Sequence, residues 1–166
     1  ALARAAGGPV KIYYSKEEHF NTYSLRLASR ISGKAGIKKD GTVTALSGEW
    51  LVDTGAVSEA VPLQVAIGCG EAQLMVRCGN WNLKTKVVCT NRNPSGIVRG
   101  FGGQELKSAL VPLLTTAMEK ADLDPVEFFK KNYIKPGDKF YWRNSWVTCR
   151  GIDYSKAMQK GAEVFG

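Results

Sequence analysis

A glycine-rich segment in the middle of the chain, residues 90–105, combines residue types that suit the binding of an anion beside a flat molecule. Arg99 carries a fixed positive charge, and Gly100 has no Cβ, so its backbone can come close to a bound group. Phe101 offers an aromatic face on which a ring could stack. The helix predicted to follow begins with unpaired N–H groups, which favour a negative ligand. The segment therefore predicts part of a site for an anionic, oxygen-rich group next to a planar molecule.

Simpler structural roles for these and other polar residues remain open. Arg99 could stabilise the end of a neighbouring helix, and Phe101 could be a core residue. Asp53 could transfer protons, but a carboxylate that stabilises the turn at a strand end is the favoured interpretation. His19, the one histidine of the chain, is predicted to lie on the surface of a helix. The segment around Arg99 is therefore the principal candidate site.

The first half of the chain is predicted to be mainly β-structure. Apolar and polar residues alternate over residues 23–31, which predicts a half-buried strand. Residues 42–53 predict a second strand that returns through the Asp-Gly turn at residues 40–41, because both turn positions tolerate positive φ. Two further short strands are predicted at residues 10–14 and 86–89.

Two short helices are predicted among these strands. Residues 1–7 look like the last turns of a helix that ends at Gly7. Ser15 and Glu18 have the spacing of a capping box, which predicts the start of a helix that continues to Phe20.

The second half of the chain changes to helical periodicity. Residues 106–118 present one apolar face, and Pro112 is predicted to kink this helix. Asp124 is predicted to cap a further helix, and Asp153 a last one. Inward packing is predicted for Trp142, Trp146, Ala157, Met158 and Ala162. The predicted fold class is α+β, with a β-rich half that contains a hairpin, followed by helices packed against the sheet.

The composition is that of an ordinary globular domain. The chain has 166 residues, of which 44% are hydrophobic and 23% charged, which suits one domain with its own core. No apolar run approaches the roughly 20 residues of a membrane-spanning helix. The net charge of +8 could attract nucleic acid, but the 23 Lys and Arg residues are scattered rather than gathered in a stripe. A solvated basic surface is therefore favoured over nucleic-acid binding.

The four cysteines do not predict a metal site. No two of them have the Cys-x-x-Cys spacing, and His19 lies far away in sequence. The sequence also shows no signal peptide, so we expect reduced, buried thiols in a cytoplasmic protein. The cysteines are Cys69, Cys78, Cys89 and Cys149.

Both ends of the sequence look interrupted. The chain opens inside the final turns of a helix, and residues 163–166 stop where an amphipathic helix should still be packing. We therefore expect residues 1–166 to form a single domain that is a fragment of a longer subunit.

The order of these motifs resembles the molybdopterin-binding large subunit of the molybdenum hydroxylases, the xanthine dehydrogenase and aldehyde oxidase family. The resemblance covers nearly the full chain, and the Arg-Gly-Phe-Gly-Gly pattern is its most specific motif. It follows Thr-Asn at the spacing of the family's "TN…RGFG" segment. The segments that carry the resemblance are residues 8–18, 36–45, 53–56, 90–103 and 124–138.

This resemblance implies roles for the residues of the candidate site. Arg99 and Gly100 would contact the molybdenum–molybdopterin cofactor, and Phe101 would orient a flat substrate. The enzyme would hydroxylate an aromatic heterocycle or an aldehyde with oxygen from water. Electrons would leave through iron–sulfur clusters, and often FAD, on partner domains or subunits.

The resemblance also implies that the catalytic base lies outside this chain, so that the fragment alone would be inactive. A non-catalytic structural or assembly module of the same fold is the alternative.

The chain departs from the family pattern in two places. Gln104 and Glu105 stand where the pattern continues with Pro-Gln. Glu105 suits the positive end of a helix dipole but would repel an anionic cofactor, so we expect its side chain to face away. Many xanthine-oxidising members carry an arginine in the region of residues 67–72, where this chain has none. The missing arginine therefore counts against purine oxidation in particular.

Overall fold

The computed structural model describes residues 1–143, 145–151 and 153–165, so Asn144, Ile152 and Gly166 lie outside the described residues. The described helices are α1 (Leu2–Ala6), α2 (Lys16–Thr22), α3 (Val61–Gln73), α4 (Gly103–Lys120), α5 (Pro125–Asn132) and α6 (Tyr154–Phe165). The described strands are β1 (Ala28–Ile37), β2 (Val43–Asp53), β3 (Trp81–Val88), β4 (Lys139–Trp142) and β5 (Ser145–Thr148). This order confirms the α+β class. None of the described helices is long and apolar enough to span a membrane.

The three-stranded sheet, with the order β1-β2-β3, brings two loops together at one edge. β1 and β2 form the predicted antiparallel hairpin, in which Ile31 lies opposite Trp50. β3 pairs with β2 in parallel, with Val88 opposite Asp53. Because the carboxyl ends of parallel strands lie at the same edge of a sheet, the segments that follow β2 and β3 begin side by side.

Helix α4 provides the second layer of the core. The predicted apolar face is confirmed, and the helix continues through Pro112. The face packs on the sheet, where Trp50 is 1% exposed and Val52 is fully buried. The buried apolar residues of α4 are Leu106, Leu110, Leu114 and Met118. The helix therefore packs its apolar stripe on the sheet, as a helix of this periodicity should.

The predicted helix ends are confirmed at several positions. Gly7 ends α1 in the left-handed conformation. Ser15 and Glu18 form the reciprocal capping box at the start of α2. The carboxylate of Asp124 accepts a hydrogen bond from the third residue of its helix at 2.8 Å. That of Asp153 accepts one from the Ser155 N–H at 3.1 Å. Side-chain capping is a local interaction, which is why sequence alone could predict it.

Helix α3 had no counterpart in the sequence prediction. It joins β2 to β3 and contacts α4, β3 and β4. Its buried residues extend over more than half of the helix circumference and include Gln64, Gly68 and Gly70, while Leu63 is 51% exposed, so the apolar residues of the sequence show no clear stripe. Those buried residues are Val61, Gln64, Val65, Ile67, Gly68, Gly70 and Ala72.

Three strand predictions need correction. The first strand of the hairpin is β1 (Ala28–Ile37) rather than residues 23–31, because its pairing with β2 extends it beyond the apolar alternation, whereas Leu25 makes only an isolated bridge to Ser95.

Residues 10–14 do not form a strand, and their side chains are exposed, with Tyr13 at 84%. A strand needs a neighbour for its N–H and C=O groups, and the described chain supplies none here. The strand predicted at residues 86–89 is the end of β3, which runs from Trp81 to Val88. Burial alternates only over its first residues, so the pattern is too short to indicate where the strand begins.

Several side chains predicted to pack inward are exposed. Ala157 and Ala162 are exposed on α6, and Met158 is half-buried. Trp146 is 68% exposed, whereas Trp142 packs against the backbone of α3. The predicted burial of all four thiols is also wrong, because Cys89 is exposed.

Asn132, at the end of α5, fixes the hairpin turn from outside. Its side-chain oxygen accepts a hydrogen bond from the Val43 N–H at 2.9 Å. Its amide donates to the carbonyl oxygens of Gly41 and Phe128, both at 2.8 Å. Asn132 is 2% exposed, so water cannot replace these bonds.

We predict that Asn132→Ala lowers the free energy of unfolding by about 2–4 kcal/mol, because it leaves buried backbone groups unpaired. Urea denaturation of both proteins measures this. The control is Asn82→Ala, at an exposed position on β3, which should change stability by less than about 0.5 kcal/mol. Equal effects of the two substitutions would contradict the role of Asn132.

Candidate functional site

Asp53 joins the carboxyl ends of β2 and β3. Its Oδ1 accepts hydrogen bonds from the Gly55 N–H and the Thr90 hydroxyl, both at 2.8 Å. Its Oδ2 lies 3.6 Å from Nη1 of Arg92. The bond from the Gly55 N–H, followed by that from Thr90, lowers the pKa of the Asp53 carboxyl. Asp53 therefore stabilises the turn at the strand end, in agreement with the favoured interpretation.

The loop after β3 is tied to other parts of the chain before it reaches Arg99. The Ser95 N–H donates to the carbonyl of Thr54 at 2.7 Å. The Gly96 N–H donates to the carbonyl of Leu25 at 2.9 Å. From α3, Nε2 of Gln64 donates to the carbonyl of Gly96 at 3.0 Å. The loop is thus fixed to the residue that follows β2, to α3 and to the segment before β1.

The predicted site residues lie on a tight turn directly before α4. The Phe101 N–H donates to the carbonyl of Val98 at 3.0 Å, which closes the turn. Gly100 has φ of 97°, which a residue with a side chain rarely adopts, and Phe101 has φ of 25°. The side chain of Arg99 is exposed, and that of Phe101 is half-buried. The turn therefore brings a cation, bare backbone and an aromatic ring together.

The other two glycines of the motif pack against the protein itself. An added Cβ at Gly68 of α3 would lie 2.6 Å from the carbonyl oxygen of Gly102. An added Cβ at Gly102 would overlap the carbonyl oxygen of Gln64, and one at Gly103 would overlap the carboxylate of Glu71. Gly102 and Gly103 therefore allow close packing against α3 rather than the approach of a ligand.

Helix α4 begins without a side-chain cap at its N-cap residue, Gly102. The Gln104 N–H donates to the carbonyl of Gly100 at 3.1 Å. In the described part of the chain, the N–H groups of Gly102, Gly103 and Glu105 donate to no acceptor. Free N–H groups at the start of an 18-residue helix carry partial positive charge. Beside Arg99, they suit an anionic ligand.

Glu105 is paired by an arginine that the sequence did not suggest. Nη1 of Arg26 lies 2.9 Å from Oε1 of Glu105, and Nη2 of Arg26 donates to the carbonyl of Arg99 at 2.6 Å. The Glu105 side chain is 5% exposed. We expected this carboxylate to face away from a bound anion. Whatever its direction, its charge is balanced by Arg26, which removes the main source of repulsion.

Two buried oxygen atoms near the turn have no hydrogen-bond donor in the described chain. They are Oε1 of Gln64 and Oε2 of Glu105. A buried acceptor without a donor is costly, so a bound molecule or water that supplied an N–H or O–H group would be stabilised there.

The region where the family resemblance suggested an arginine holds an ion pair. The carboxylate of Glu71 lies 2.7 Å from Nζ of Lys107 on α4. Both residues line an open depression beside Gly100, together with Gln104 and Ser108. The charge of Glu71 is therefore balanced within the chain.

Arg26, Gln64 and Glu71 were not predicted to belong to this region. Arg26 is separated by 73 residues from Arg99 and by 79 from Glu105, and no local sequence pattern links such distant positions. Gln64 and Glu71 lie on α3. Because the sequence did not predict this helix, it did not indicate that either side chain would face the turn.

Residues 1–133 match the family model described as the molybdopterin cofactor-binding domain. The chain belongs to this family. It is 30% identical over 164 residues to the xanthine dehydrogenase molybdenum-binding subunit of Escherichia coli O157:H7, covering 98% of this chain and 21% of that protein. It is 31% identical over 136 residues to the aldehyde oxidoreductase of Megalodesulfovibrio gigas, covering 82% of this chain and 15% of that protein. The resemblance to the molybdenum hydroxylase large subunit is thereby confirmed.

Solved structures agree with this family. The aldehyde oxidoreductase from Desulfovibrio gigas superposes with a TM-score of 0.78 at 25% identity, covering 86% of this chain and 15% of that one. Quinoline 2-oxidoreductase from Pseudomonas putida 86 has the same fold, with a TM-score of 0.78 at 24% identity, covering 99% of this chain and 21% of that one. The chain spans about a fifth of the length of the relatives from Escherichia coli that it matches along almost its whole length.

We predict that Gly102→Ala lowers the free energy of unfolding by about 2–4 kcal/mol, because the new Cβ meets the α3 backbone at a left-handed φ of 85°. Gly79→Ala is the control, since an added Cβ there has no neighbour within 4 Å and should change stability by about 1 kcal/mol or less. Urea denaturation measures both. A neutral Gly102→Ala would show that α3 and α4 do not need this close contact.

The lowered pKa of Asp53 predicts a pH dependence of stability. The stabilisation from its charged form is fully present above about pH 4, the pKa of an unfolded Asp, and is lost as the pH falls through the lower folded pKa. Between about pH 6 and about pH 2.5, the urea midpoint of Asp53→Asn should therefore fall less than that of the wild type. Glu119→Gln, at an exposed position on α4, should follow the wild-type curve. Parallel curves for wild type and Asp53→Asn would contradict the prediction.

Proposed function

We propose that this chain forms one wall of the molybdopterin site in the large subunit of a molybdenum hydroxylase that oxidises an aldehyde or an aromatic heterocycle. The observation that carries the proposal is the turn at Arg99, Gly100 and Phe101, placed directly before the uncapped start of α4. The family of the chain supports this choice.

The residues of the turn fit an anionic cofactor. The exposed guanidinium of Arg99 would bind its charged oxygens, and Gly100 would let them approach the backbone. The free N–H groups at the start of α4 add positive potential on the same side. Because Arg26 balances Glu105, the nearest buried carboxylate does not cancel this field.

The remaining chemistry would come from the cofactor and from other parts of the enzyme. When bound, molybdenum–molybdopterin would supply the redox chemistry for a hydroxylation that uses oxygen from water. Phe101 would orient a flat substrate by stacking. We propose that the base and the iron–sulfur and flavin groups lie in other domains or subunits, so that this chain alone is inactive. Two relatives, a xanthine dehydrogenase molybdenum-binding subunit and a nicotinate dehydrogenase large molybdopterin subunit, are named as subunits, which supports a multi-subunit enzyme.

The paired charge of Glu71 supports a substrate other than a purine. An arginine in this region would offer a free cation to a polar heterocycle, whereas Glu71 is engaged with Lys107 at 2.7 Å. We therefore propose an aldehyde or a less polar aromatic heterocycle as the substrate class.

The test is a cofactor analysis of the full-length subunit, purified with its partners from a host that makes the cofactor. We expect molybdenum by mass spectrometry, a pterin after oxidative release, and oxidation of one member of an aldehyde and heterocycle panel. A matured complex without molybdenum would contradict the proposal and favour the structural module, for which Gln104 and Glu105 are the sequence hints.

We predict that Phe101→Leu raises KM about tenfold, because the side chain keeps its apolar character but loses the aromatic face. Phe101→Tyr, which keeps the ring, should retain a KM within about twofold of the wild type. Molybdenum content should be unchanged in both variants. If Leu and Tyr behaved alike in steady-state kinetics, Phe101 would be a packing residue only.

A further inference from the structure

A single guanidinium connects the candidate site to two distant parts of the chain. Arg26 lies between α2 and β1, and its two terminal nitrogens contact different partners. Nη1 lies 2.9 Å from Oε1 of Glu105, while Nη2 donates to the carbonyl oxygen of Arg99 at 2.6 Å. The planar fork of arginine can hold two acceptors in a fixed relative orientation.

The bond to the Arg99 carbonyl determines which way the next N–H points. A trans peptide is planar, and its C=O and N–H groups point in opposite directions. When Arg26 holds the Arg99 carbonyl, the Gly100 N–H must point away from Arg26. That N–H donates to no acceptor in the described part of the chain, so it is available to a ligand.

The turn has few other interactions that would hold this peptide. Its closing bond, from the Phe101 N–H to the Val98 carbonyl, spans the peptide without contacting it. Gly100 has the widest conformational freedom of any residue type, and the Arg99 side chain is exposed. Without Arg26, the peptide between Arg99 and Gly100 could rotate with little resistance.

Glu105 in turn holds Arg26. Its side chain is 5% exposed against 39% for Arg26, so the carboxylate is the fixed partner and the guanidinium the one that must be oriented. A buried carboxylate also requires a cation, because an unpaired charge would be strongly destabilising there. This chain departs from the family pattern at Glu105, and the carboxylate there makes the contact with Arg26 an ion pair.

We infer that Arg26, oriented by Glu105, is a positioning residue that holds the Arg99–Gly100 peptide with its N–H presented to an anionic ligand. The identity of that ligand as molybdopterin rests on the proposed function. The positioning itself concerns only residues of this chain and can be tested without the cofactor.

Arg26→Lys is the informative substitution. It keeps the positive charge that Glu105 needs, but a single ammonium group cannot reproduce the planar two-pronged contact. Arg77→Lys is the matched control. Nη2 of Arg77 donates to the carbonyl of Lys131 at 3.1 Å, and Nη1 lies 3.9 Å from the carboxylate of Asp138. Like Arg26, Arg77 thus contacts one backbone carbonyl and one carboxylate, but it lies outside the turn at Arg99.

The primary measurement is amide hydrogen exchange by mass spectrometry on the full-length protein, with and without its cofactor. Within residues 98–105 of the described chain, hydrogen bonds protect the N–H groups of Phe101 and Gln104, which donate to the carbonyls of Val98 and Gly100. In the cofactor-free protein, Arg26→Lys should raise the exchange of these two protected amides about tenfold, since loss of the bond to the Arg99 carbonyl destabilises the turn. Exchange in residues 106–118 should stay at the wild-type rate. Arg77→Lys should leave both peptides unchanged.

In the cofactor-loaded enzyme, Arg26→Lys should lower kcat about tenfold with KM within about twofold of the wild type, because misplacement of an interacting group by a small distance affects the reaction more than binding. Glu105→Gln, which keeps the shape of the side chain but removes its charge, should increase exchange in residues 98–105 to a smaller extent than Arg26→Lys. If Arg26→Lys does not accumulate as folded protein, the exchange measured for Glu105→Gln tests the positioning role of Arg26.

Wild-type exchange in residues 98–105 of both variants would overturn the positioning role, as would equal effects of Arg26→Lys and Arg77→Lys. These outcomes are separate from a failure of the proposed function. Absence of molybdenum from the matured wild-type complex would leave the exchange result intact, whereas normal molybdenum content with unchanged exchange would reject the role of Arg26 alone.

Discussion

The close approach of α3 to the start of α4 is the constraint on which the rest of this region depends. At the contact, Gly68 faces the carbonyl of Gly102, and any Cβ on either residue would meet backbone. Interiors are packed too densely to absorb such an atom without displacement of a helix. Because α3 is the crossover between two parallel strands, its position also sets where the loop after β3 must end. The contact between α3 and α4 therefore also determines the position of the turn at Arg99, which directly precedes α4.

The glycines of the Arg-Gly-Phe-Gly-Gly motif consequently serve two different purposes. Gly100 provides a backbone conformation that the turn needs, and Gly102 and Gly103 let α4 begin against α3. A local motif that resembles a ligand cradle is therefore in large part a packing motif. Its second consequence is electrostatic, since the same contact leaves α4 without a side-chain cap and its first N–H groups without acceptors.

The features that depend on neighbours in sequence could be predicted. The capping box at Ser15, the cap at Asp124 and the hairpin between β1 and β2 all arise from interactions within a few residues. The apolar stripe of α4 could be recognised because only one side of that helix is buried. The sequence shows no clear apolar stripe for α3, since this helix is covered on several sides. Residues 10–14 have the composition of a strand but form none, because a sequence pattern does not show whether a partner strand exists.

In the candidate site too, the features that depend on neighbours in sequence could be predicted, and those that depend on distant residues could not. Arg99, Gly100 and Phe101 are consecutive, so their types alone indicated that they would lie together. Arg26 and Glu71 reach this region through the fold, and no pattern of spacing predicts a contact between positions 79 residues apart. Glu105 could be recognised as unusual for the family, but whether its charge would oppose an anion depended on Arg26, which only the three-dimensional arrangement reveals.

Arg99 would not bind an anion tightly in its present exposed setting, because water and salt screen a surface charge. Ile97, two residues before Arg99, is also 58% exposed. Another part of the proposed enzyme would have to cover both side chains to exclude water from them. In the proposed enzyme, such a cover would lower the local dielectric and strengthen the attraction between Arg99, the free N–H groups of α4 and an anionic cofactor. The affinity of the proposed site would then come from the enclosure as much as from the residues of the turn.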